Sequence, residues 1–291
     1  MAHPLPRYSP SGFFRPIAIA LFLAAIALGC VLAFLYQATV RWISIVQVKM
    51  LVVLVFAAML GGAGAWAVRK GHCRNRLIAL LFALALAGVP LAATYYWDYA
   101  LAEPGNVRFR LGEHGLSAEY TFRDYLEDRQ RHGWRMKSGG DVTGAGVLTM
   151  WTLEALVVFG AVLALTVPGA ADPYCERCSR FCDSSGFTVR GLGRAAADPL
   201  LASGALDRVI DLEAPADGDA ALALQLSVTS CPQCKETAFL TVSEVRTVVK
   251  KNKTRQKTTR LVRYAVLSTQ NREHAFARLT NVRGQTLPAV R

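Results

Sequence analysis

The chain has 291 residues and a formal net charge of +12, and 53% of its residues are hydrophobic. Its mean hydropathy of +0.27 exceeds what a soluble globular protein needs. This composition excludes a wholly soluble globule, so the excess of apolar residues must be concentrated in particular segments.

Four uninterrupted apolar runs each have about twenty residues, which as an α-helix cross about 30 Å of hydrocarbon at about 1.5 Å per residue. A chain this short leaves no soluble partner that could bury four such helices. The sequence therefore predicts an α-helical membrane bundle. Its four transmembrane helices are expected at residues 17–37, 50–68, 77–97 and 147–167.

Small residues recur at every fourth position of the second and third predicted helices, a spacing that lets helix backbones approach closely. They are Ala57, Gly61 and Ala65 in the second helix, and Ala79, Ala83 and Ala87 in the third. The pattern predicts close packing between helices.

The distribution of basic residues predicts the orientation of these helices. Four basic residues and no acidic residue lie between the second and the third predicted helix. They are Arg69, Lys70, Arg74 and Arg76. Under the positive-inside rule this loop lies in the cytoplasm, and alternation places residues 1–16 and 168–291 there too, so both termini are cytoplasmic. Arg41 and Lys49, on the outer side, depart from the rule. We expect a multi-pass protein of the plasma (inner) membrane.

The segment between the third and fourth predicted helices, residues 98–146, is expected outside the cytoplasm. It contains seven basic and eight acidic residues, as a translocated loop should. Thr121 and Asp124 resemble a helix-capping pair, and Gly133 is a natural helix stop. The pattern predicts an amphipathic helix over residues 122–132.

One carboxylate interrupts the fourth predicted helix. Glu154 lies seven residues into this helix, at a depth of about 10 Å by helical rise. An acidic residue inside a membrane is by default a candidate functional residue. Because the other predicted helices supply no apolar-embedded basic or histidine partner, we expect Glu154 to be structural, either protonated or hydrogen-bonded to a Tyr or Thr of a neighbouring helix.

Five cysteines follow the fourth predicted helix. Cys175 and Cys178 form one C-x2-C pair, and Cys231 and Cys234 form another. A two-residue gap lets both sulfurs of a pair face one ion at about 2.3 Å, and two such pairs commonly complete a tetrahedral zinc site. Since disulfides are disfavoured in the reducing cytoplasm, the sequence predicts that these four cysteines bind structural zinc.

The two pairs resemble the knuckles of zinc-ribbon proteins, and the second, "CPQC", has the proline often found in them. The resemblance covers the knuckles and the hairpin that follows. The separation of about fifty residues exceeds the usual fifteen to twenty, so an insertion is expected between the halves. Cys182 is an alternative ligand in place of Cys175, or a spare thiol. An iron–sulfur site, a redox-active pair and unligated cysteines also stay open as interpretations.

The residues around the cysteines predict a small α+β domain. "FTVRGL" is a short strand and "ADPLLASGALDRVIDL" a helix. "LALQLSVT" alternates strictly between apolar and smaller or polar residues, which predicts a strand. Its apolar face comprises Leu222, Leu224, Leu226 and Val228. After "CPQC", "TAFLTVSEVRTVV" and "TTRLVRYAVLST" form a hairpin.

The link between these two strands, "KKNKTRQK", is basic. Eight basic residues and no acidic residue lie between Arg246 and Arg263. Such a patch attracts anionic headgroups or nucleic acid. Nucleic-acid binders usually add aromatic stacking groups, which the link lacks, so headgroups are favoured. The candidate binding residues are Lys250, Lys251, Lys253, Arg255, Lys257 and Arg260.

The sequence favours a non-enzymatic scaffold, regulator or interaction module at the inner membrane, with an unidentified protein partner. It contains no Gly-rich phosphate loop, serine nucleophile motif or H-E-x-x-H. Two further roles stay open. One is a small transporter or channel component that uses Glu154, and the second is a membrane enzyme or redox protein that uses Cys182 or a C-x2-C pair.

Overall fold

The protein is represented by a computed structural model that describes residues 5–43, 46–101, 121–135, 141–250 and 253–283. The chain divides into two compact units. The helical unit comprises Ser11–Ala171. The sheet unit comprises Asp172–Arg291 together with the amino-terminal segment Met1–Pro10.

Four long helices form the helical unit, and all four are long and apolar enough to span a membrane. They are α1 (Ile17–Trp42), α2 (Val46–Lys70), α3 (Arg76–Ala100) and α5 (Ala145–Thr166), the last continued by a short 3-10 helix, Val167–Ala171. The four long apolar helices expected from the sequence are confirmed. Each begins or ends a few residues beyond its apolar run.

Small side chains fill the contacts between these helices. Ala79, Ala83 and Ala87 on α3 are fully buried. On α1, a β-carbon at Gly29 would lie 2.6 Å from the Pro90 ring, so only glycine permits this approach of α1 and α3. The repeat of small residues therefore lies where the helices meet, as close helix packing requires.

A shorter helix, α4 (Phe122–His132), precedes α5 and has the bounds expected from the sequence. The Thr121 side chain accepts from the backbone N–H of Asp124, whose carboxylate accepts from the backbone N–H of Thr121, so the capping box is complete. A minimal two-stranded ladder follows, made of β1 (Trp134–Arg135) and β2 (Asp141–Val142).

A four-stranded antiparallel sheet organises the sheet unit, with its strands in chain order. The strands are β5 (Asp183–Gly191), β6 (Asp219–Ser230), β7 (Ala238–Lys250) and β8 (Lys253–Val266). Leu224, Leu226 and Val228 on β6 are fully buried, as their alternation predicts, and Leu222 at the strand's outer end is half-buried. A separate hairpin, β3 (Tyr174–Cys175) with β4 (Arg180–Phe181), precedes the sheet.

Three helices complete the described part of the unit: α6 (Arg194–Ser203), α7 (Leu206–Ile210) and α8 (Thr269–Arg283). The single helix expected over residues 197–212 is wrong, because the chain forms two helices there. Gly204 adopts a left-handed conformation with φ of 77° and ends α6 with its N–H bonded to the last carbonyls.

The amino-terminal segment pairs with the outer edge of β8. The Val266 N–H donates to the Pro6 carbonyl at 2.9 Å, and the Tyr8 N–H donates to the Tyr264 carbonyl at 2.9 Å. Leu5 packs against the hydrophobic core of the unit. Residues that the sequence assigned to a simple tail therefore extend the sheet by one short strand-like segment.

Candidate metal centre and charged arm

The first cysteine knuckle lies in the β3–β4 hairpin. Cys175 on β3 pairs in register with Arg180 on β4. The chain reverses through Ser179, which directly follows Cys178 and has a left-handed φ of 51°. A non-glycine residue in this region costs about 1 kcal/mol or more, so the hairpin must hold it there.

The second knuckle joins β6 to β7 and has the same form. The Lys235 N–H donates to the Cys231 carbonyl at 3.1 Å, and the Cys231 N–H donates to the Thr237 carbonyl at 3.0 Å. Lys235 follows Cys234 and has a left-handed φ of 54°. Both knuckles therefore reverse the chain at the residue after their second cysteine, so that two sulfurs of each knuckle face the same point.

The four sulfurs of the two knuckles converge. The Sγ atoms of Cys175, Cys178, Cys231 and Cys234 all lie within 4.8 Å of one another. Those of Cys175 and Cys234 are 3.7 Å apart, well beyond the ~2.05 Å of a disulfide. Four sulfurs bound to one zinc at about 2.3 Å in a tetrahedron would be about 3.8 Å apart. All four thiols are free, and the cluster could hold a metal ion.

Neighbouring groups favour the thiolate of Cys234 and disfavour that of Cys178. The backbone N–H of Glu236 donates to Cys234 and lowers its pKa to about 7, whereas burial beside the other sulfurs raises the pKa of Cys178 to about 12. The Thr237 hydroxyl donates to the Cys175 sulfur at 3.5 Å. Polar groups that donate to ligand atoms orient them and stabilise their charged form.

Cys182 lies next to the cluster without joining it. It is buried in the same small core as Cys175, Cys231 and Phe239, and its N–H donates to the Pro173 carbonyl at 2.9 Å. Burial, followed by the charge of neighbouring thiolates, raises its pKa to about 12. In the described part of the chain the four-sulfur group forms without Cys182, which has the environment of a buried, unreactive thiol.

Aromatic side chains that no local sequence pattern predicted cover the cluster. The centroid of the Tyr8 ring lies 5.1 Å from that of the Phe239 ring, to which it is tilted. It lies 6.4 Å from the centroid of the Tyr264 ring, which it meets edge to face. Tyr264 has a left-handed φ of 53° beside a bulge in β8, where its N–H donates to the Thr241 hydroxyl. The amino-terminal segment thereby supplies part of the apolar wall around the sulfurs, a long-range contact that no local sequence pattern signals.

The basic residues lie on an extension of the β7–β8 hairpin. β6 pairs with β7 only as far as Leu222 opposite Arg246. Beyond that point β7 and β8 pair with each other as far as Lys250 opposite Lys253. We call residues 246–250 and 253–257 the arm. The basic link between the two predicted strands is thus itself strand at Lys250 and from Lys253 onward, and the hairpin is longer than the two predicted strands.

The candidate binding residues do not form one group. Arg255 and Lys257 are exposed on the arm. Arg260 is exposed too, but it lies three residues from Lys257 and therefore on the other face of β8. Lys251 lies outside the described residues.

Glu154 connects three of the long helices. One carboxylate oxygen accepts from the Tyr36 hydroxyl of α1 at 2.7 Å, and the other accepts from the Tyr95 hydroxyl of α3 at 3.2 Å. Interhelical hydrogen bonds of this kind stabilise membrane bundles by about 1 kcal/mol each. The arrangement provides the tyrosine partners that a structural carboxylate requires.

A second carboxylate, which the sequence analysis did not select, lies near the end of α3. Asp98 accepts from Arg129 of α4 at 2.9 Å and from the Tyr125 hydroxyl. Arg41 of α1 lies 3.6 Å from the other Asp98 oxygen. Arg41, an exception to the charge rule, is therefore paired with an acid.

No protein-family model, curated protein or solved structure matches this chain. The class of protein is therefore defined by the architecture of the chain itself. It has four helices long and apolar enough to span a membrane, followed by a small sheet-containing unit with a four-cysteine cluster that could hold a metal ion.

Proposed function

We propose that this chain is a multi-pass protein of the plasma (inner) membrane whose sheet unit is a zinc-stabilised cytoplasmic scaffold or regulatory interaction module. The convergence of four cysteine sulfurs carries the proposal. Four thiolate ligands leave no open position on the metal, which is the pattern of structural zinc, whereas catalytic zinc keeps one position for water or substrate.

The position of the cluster explains what the metal would do. Its ligands come from the β3–β4 hairpin and from the β6–β7 connection, two parts of the chain that a bound ion would tie together. The Tyr8 ring packs beside them. Because such a site does not exist in the unfolded chain, the free energy of metal binding becomes folding free energy.

Three observations support the orientation. Met1–Pro10 and Asp172–Arg291 belong to the same unit, and an even number of crossings returns the chain to the side on which it began. The loop with Arg69 and Lys70 marks that side as cytoplasmic under the positive-inside rule. The ion pair of Arg41 with Asp98 offsets one of the two charges that oppose it. In the cytoplasm the cysteines stay reduced and available to metal.

Reporter fusions test the orientation. Fusions after Lys70 and at Arg291 are expected to report the cytoplasm, and a fusion near Gly140 the outside. A carboxyl terminus outside the cytoplasm would contradict the proposal, because it would place the cysteines in an oxidising compartment.

The interaction role is tested by cross-linking in intact cells, followed by mass spectrometry of the purified full chain. We expect sheet-unit residues to be cross-linked to another protein in the wild type. Cys231→Ala should abolish these cross-links because it removes a metal ligand, and the matched variant Cys182→Ala should retain them. Cross-links that are equally strong in Cys231→Ala, or that involve the helical unit alone, would contradict an interaction module in the sheet unit.

A transport role for Glu154 receives less support. Both of its carboxylate oxygens already accept hydrogen bonds from tyrosines of neighbouring helices. An ion or proton path needs a carboxylate that exchanges partners, and a carboxylate that fastens three helices together is better suited to holding the bundle.

A further inference from the structure

The arm carries its charge on one face. Successive residues of a strand point to opposite faces, and residues opposite each other in register share a face. Arg246 pairs with Lys257, and Val248 pairs with Arg255. All four are exposed. Lys250 and Lys253 are the next pair of the same alternating set.

The other alternating set of arm residues is uncharged. It contains Thr247 opposite Gln256, and Val249 opposite Thr254. At the base of the arm, Val245 opposite Thr258 continues this set. The basic residues are therefore sorted by the register of the hairpin, and an irregular basic loop would have no such sorting.

This sorting costs stability in the absence of an anion. Like charges directly opposite each other on antiparallel strands repel, and Arg246 opposite Lys257 is such a pair. Among the described residues, no acidic side chain forms an ion pair with Arg246, Arg255 or Lys257. A phosphate between two cations would replace repulsion by charge-assisted hydrogen bonds, which the arginine guanidinium makes in pairs.

The apolar residue on this face indicates the kind of anion. Val248 is 42% exposed and lies among the cations. An apolar side chain surrounded by Lys and Arg suits the boundary between headgroups and acyl chains. Binders of single-stranded nucleic acid stack bases on aromatic side chains, and the sequence from residue 246 to residue 257 contains no aromatic residue.

We propose that the basic face of the arm, formed by Arg246, Arg255 and Lys257 around Val248, binds the phosphate headgroups of anionic phospholipids. The inference rests on the proposed function, because it names the partner surface of a domain held at a membrane. It assigns the binding to one face of two strands, and it leaves Arg260 outside the binding set.

The test uses the full chain in nanodiscs of pure phosphatidylcholine, mixed with protein-free vesicles. We expect the nanodiscs to float with vesicles of equal parts phosphatidylcholine and phosphatidylglycerol, and to remain behind with vesicles of phosphatidylcholine alone. Binding should be lost between about 0.1 M and about 1 M salt, as the charges are screened. Arg255→Gln with Lys257→Gln should weaken it about 30-fold, since each cation near an anionic surface contributes about 1 kcal/mol.

The matched control is Arg190→Gln with Arg208→Gln, which removes the same charge from exposed positions of the sheet unit outside the arm. It should bind the anionic vesicles as the wild type does. Equal weakening in both double variants would overturn the proposal, because general charge and not the arm would then drive binding. Loss of binding on Val248→Gln would support the apolar contribution, and unchanged binding would overturn that part.

Two further measurements separate this inference from the proposed function. If the wild type contains zinc and has the expected orientation but does not bind anionic vesicles, the inference about the arm is wrong and the proposed function is unaffected. If it ignores the vesicles and instead retards single-stranded RNA at physiological salt, and the arm variant does not, the arm binds nucleic acid and the lipid assignment is wrong.

Discussion

The helical unit and the sheet unit differ in where their large apolar side chains lie, because the helical unit exposes many of them and the sheet unit exposes few. In the helical unit, small residues such as Ala83 and Ala87 are fully buried, whereas Leu54 and Leu81 are 54% and 58% exposed. In the sheet unit, large residues such as Leu224 are buried in the core. Two parts of one chain thus follow different packing rules.

The difference indicates where the stability of each unit originates. The exposed leucines of the helical unit suit a lipid environment, in which close approach of helix backbones holds the bundle together. The sheet unit has a hydrophobic core of its own, and its four-cysteine cluster joins two parts of the chain that a bound metal would tie together. We therefore expect metal removal to affect the sheet unit alone, and overpacking between helices to affect the helical unit alone.

Loss of one cysteine ligand should have the largest effect. Structural zinc contributes about 10 kcal/mol or more in small zinc domains, comparable with the whole stability of a domain, about 5–15 kcal/mol. We expect Cys231→Ala to abolish the cooperative unfolding of the sheet unit. Hydrogen exchange of the full chain should show fast-exchanging amides in β6 and unchanged protection in α2 and α3. Retained protection of β6 in this variant would contradict a metal-dependent fold, and Cys182→Ala is the control.

Two adjacent glycines of α2 test the helical unit. A β-carbon at Gly61 would lie 2.6 Å from a methyl group of Leu165 on α5, whereas a β-carbon at Gly62 would meet nothing within 4 Å. We expect Gly61→Leu to destabilise the bundle by about 1–3 kcal/mol through overpacking. Gly62→Leu should have little effect. Denaturation in SDS measures both variants, and equal behaviour would contradict the packing of α2 against α5.

Removal of the buried carboxylate should have a smaller effect on the helical unit. Glu154→Ala leaves the Tyr36 and Tyr95 hydroxyls without their acceptor, at a cost of about 1–2 kcal/mol. Glu154→Gln keeps one acceptor oxygen and should lose about half as much. The same SDS denaturation checks the result. If Glu154→Ala is as stable as the wild type, the structural role of Glu154 is wrong, and a role in transport becomes the better explanation of this carboxylate.

Chelation offers a test that needs no substitution. Cys182 in the sheet unit and Cys73 in the helical unit are both buried, and burial raises the pKa of each thiol. Since the thiolate is the reactive form, both should be alkylated more slowly than a free thiol at neutral pH. A zinc chelator should make Cys182 reactive and leave Cys73 slow. Simultaneous exposure of both would show that the units do not unfold separately.

The sequence predicted features that have a local signal. Uninterrupted apolar runs indicated α1, α2, α3 and α5, and the spacing within each C-x2-C pair selected the four clustered cysteines. The alternation of β6 identified its buried face. In each case the physical cause acts within a few neighbouring residues, so a pattern in the chain reports it.

Features that depend on distant residues were missed. Pro6 and Tyr8 pair with β8 although their segment has no strand pattern, because the edge of the sheet supplies the partner. Asp98 meets Arg41 and Arg129 through the packing of three helices. The arm has no strict alternation of apolar and polar residues. It forms two strands because the end of β7 and the start of β8 pair with each other through backbone hydrogen bonds.

Elemental analysis of the purified full chain under reducing conditions decides whether the four clustered cysteines hold structural zinc. We expect about one zinc per chain in the wild type and in Cys182→Ala, and almost none in Cys231→Ala. Iron in place of zinc, a wild type free of metal, or a Cys231→Ala variant that keeps its zinc would contradict this expectation.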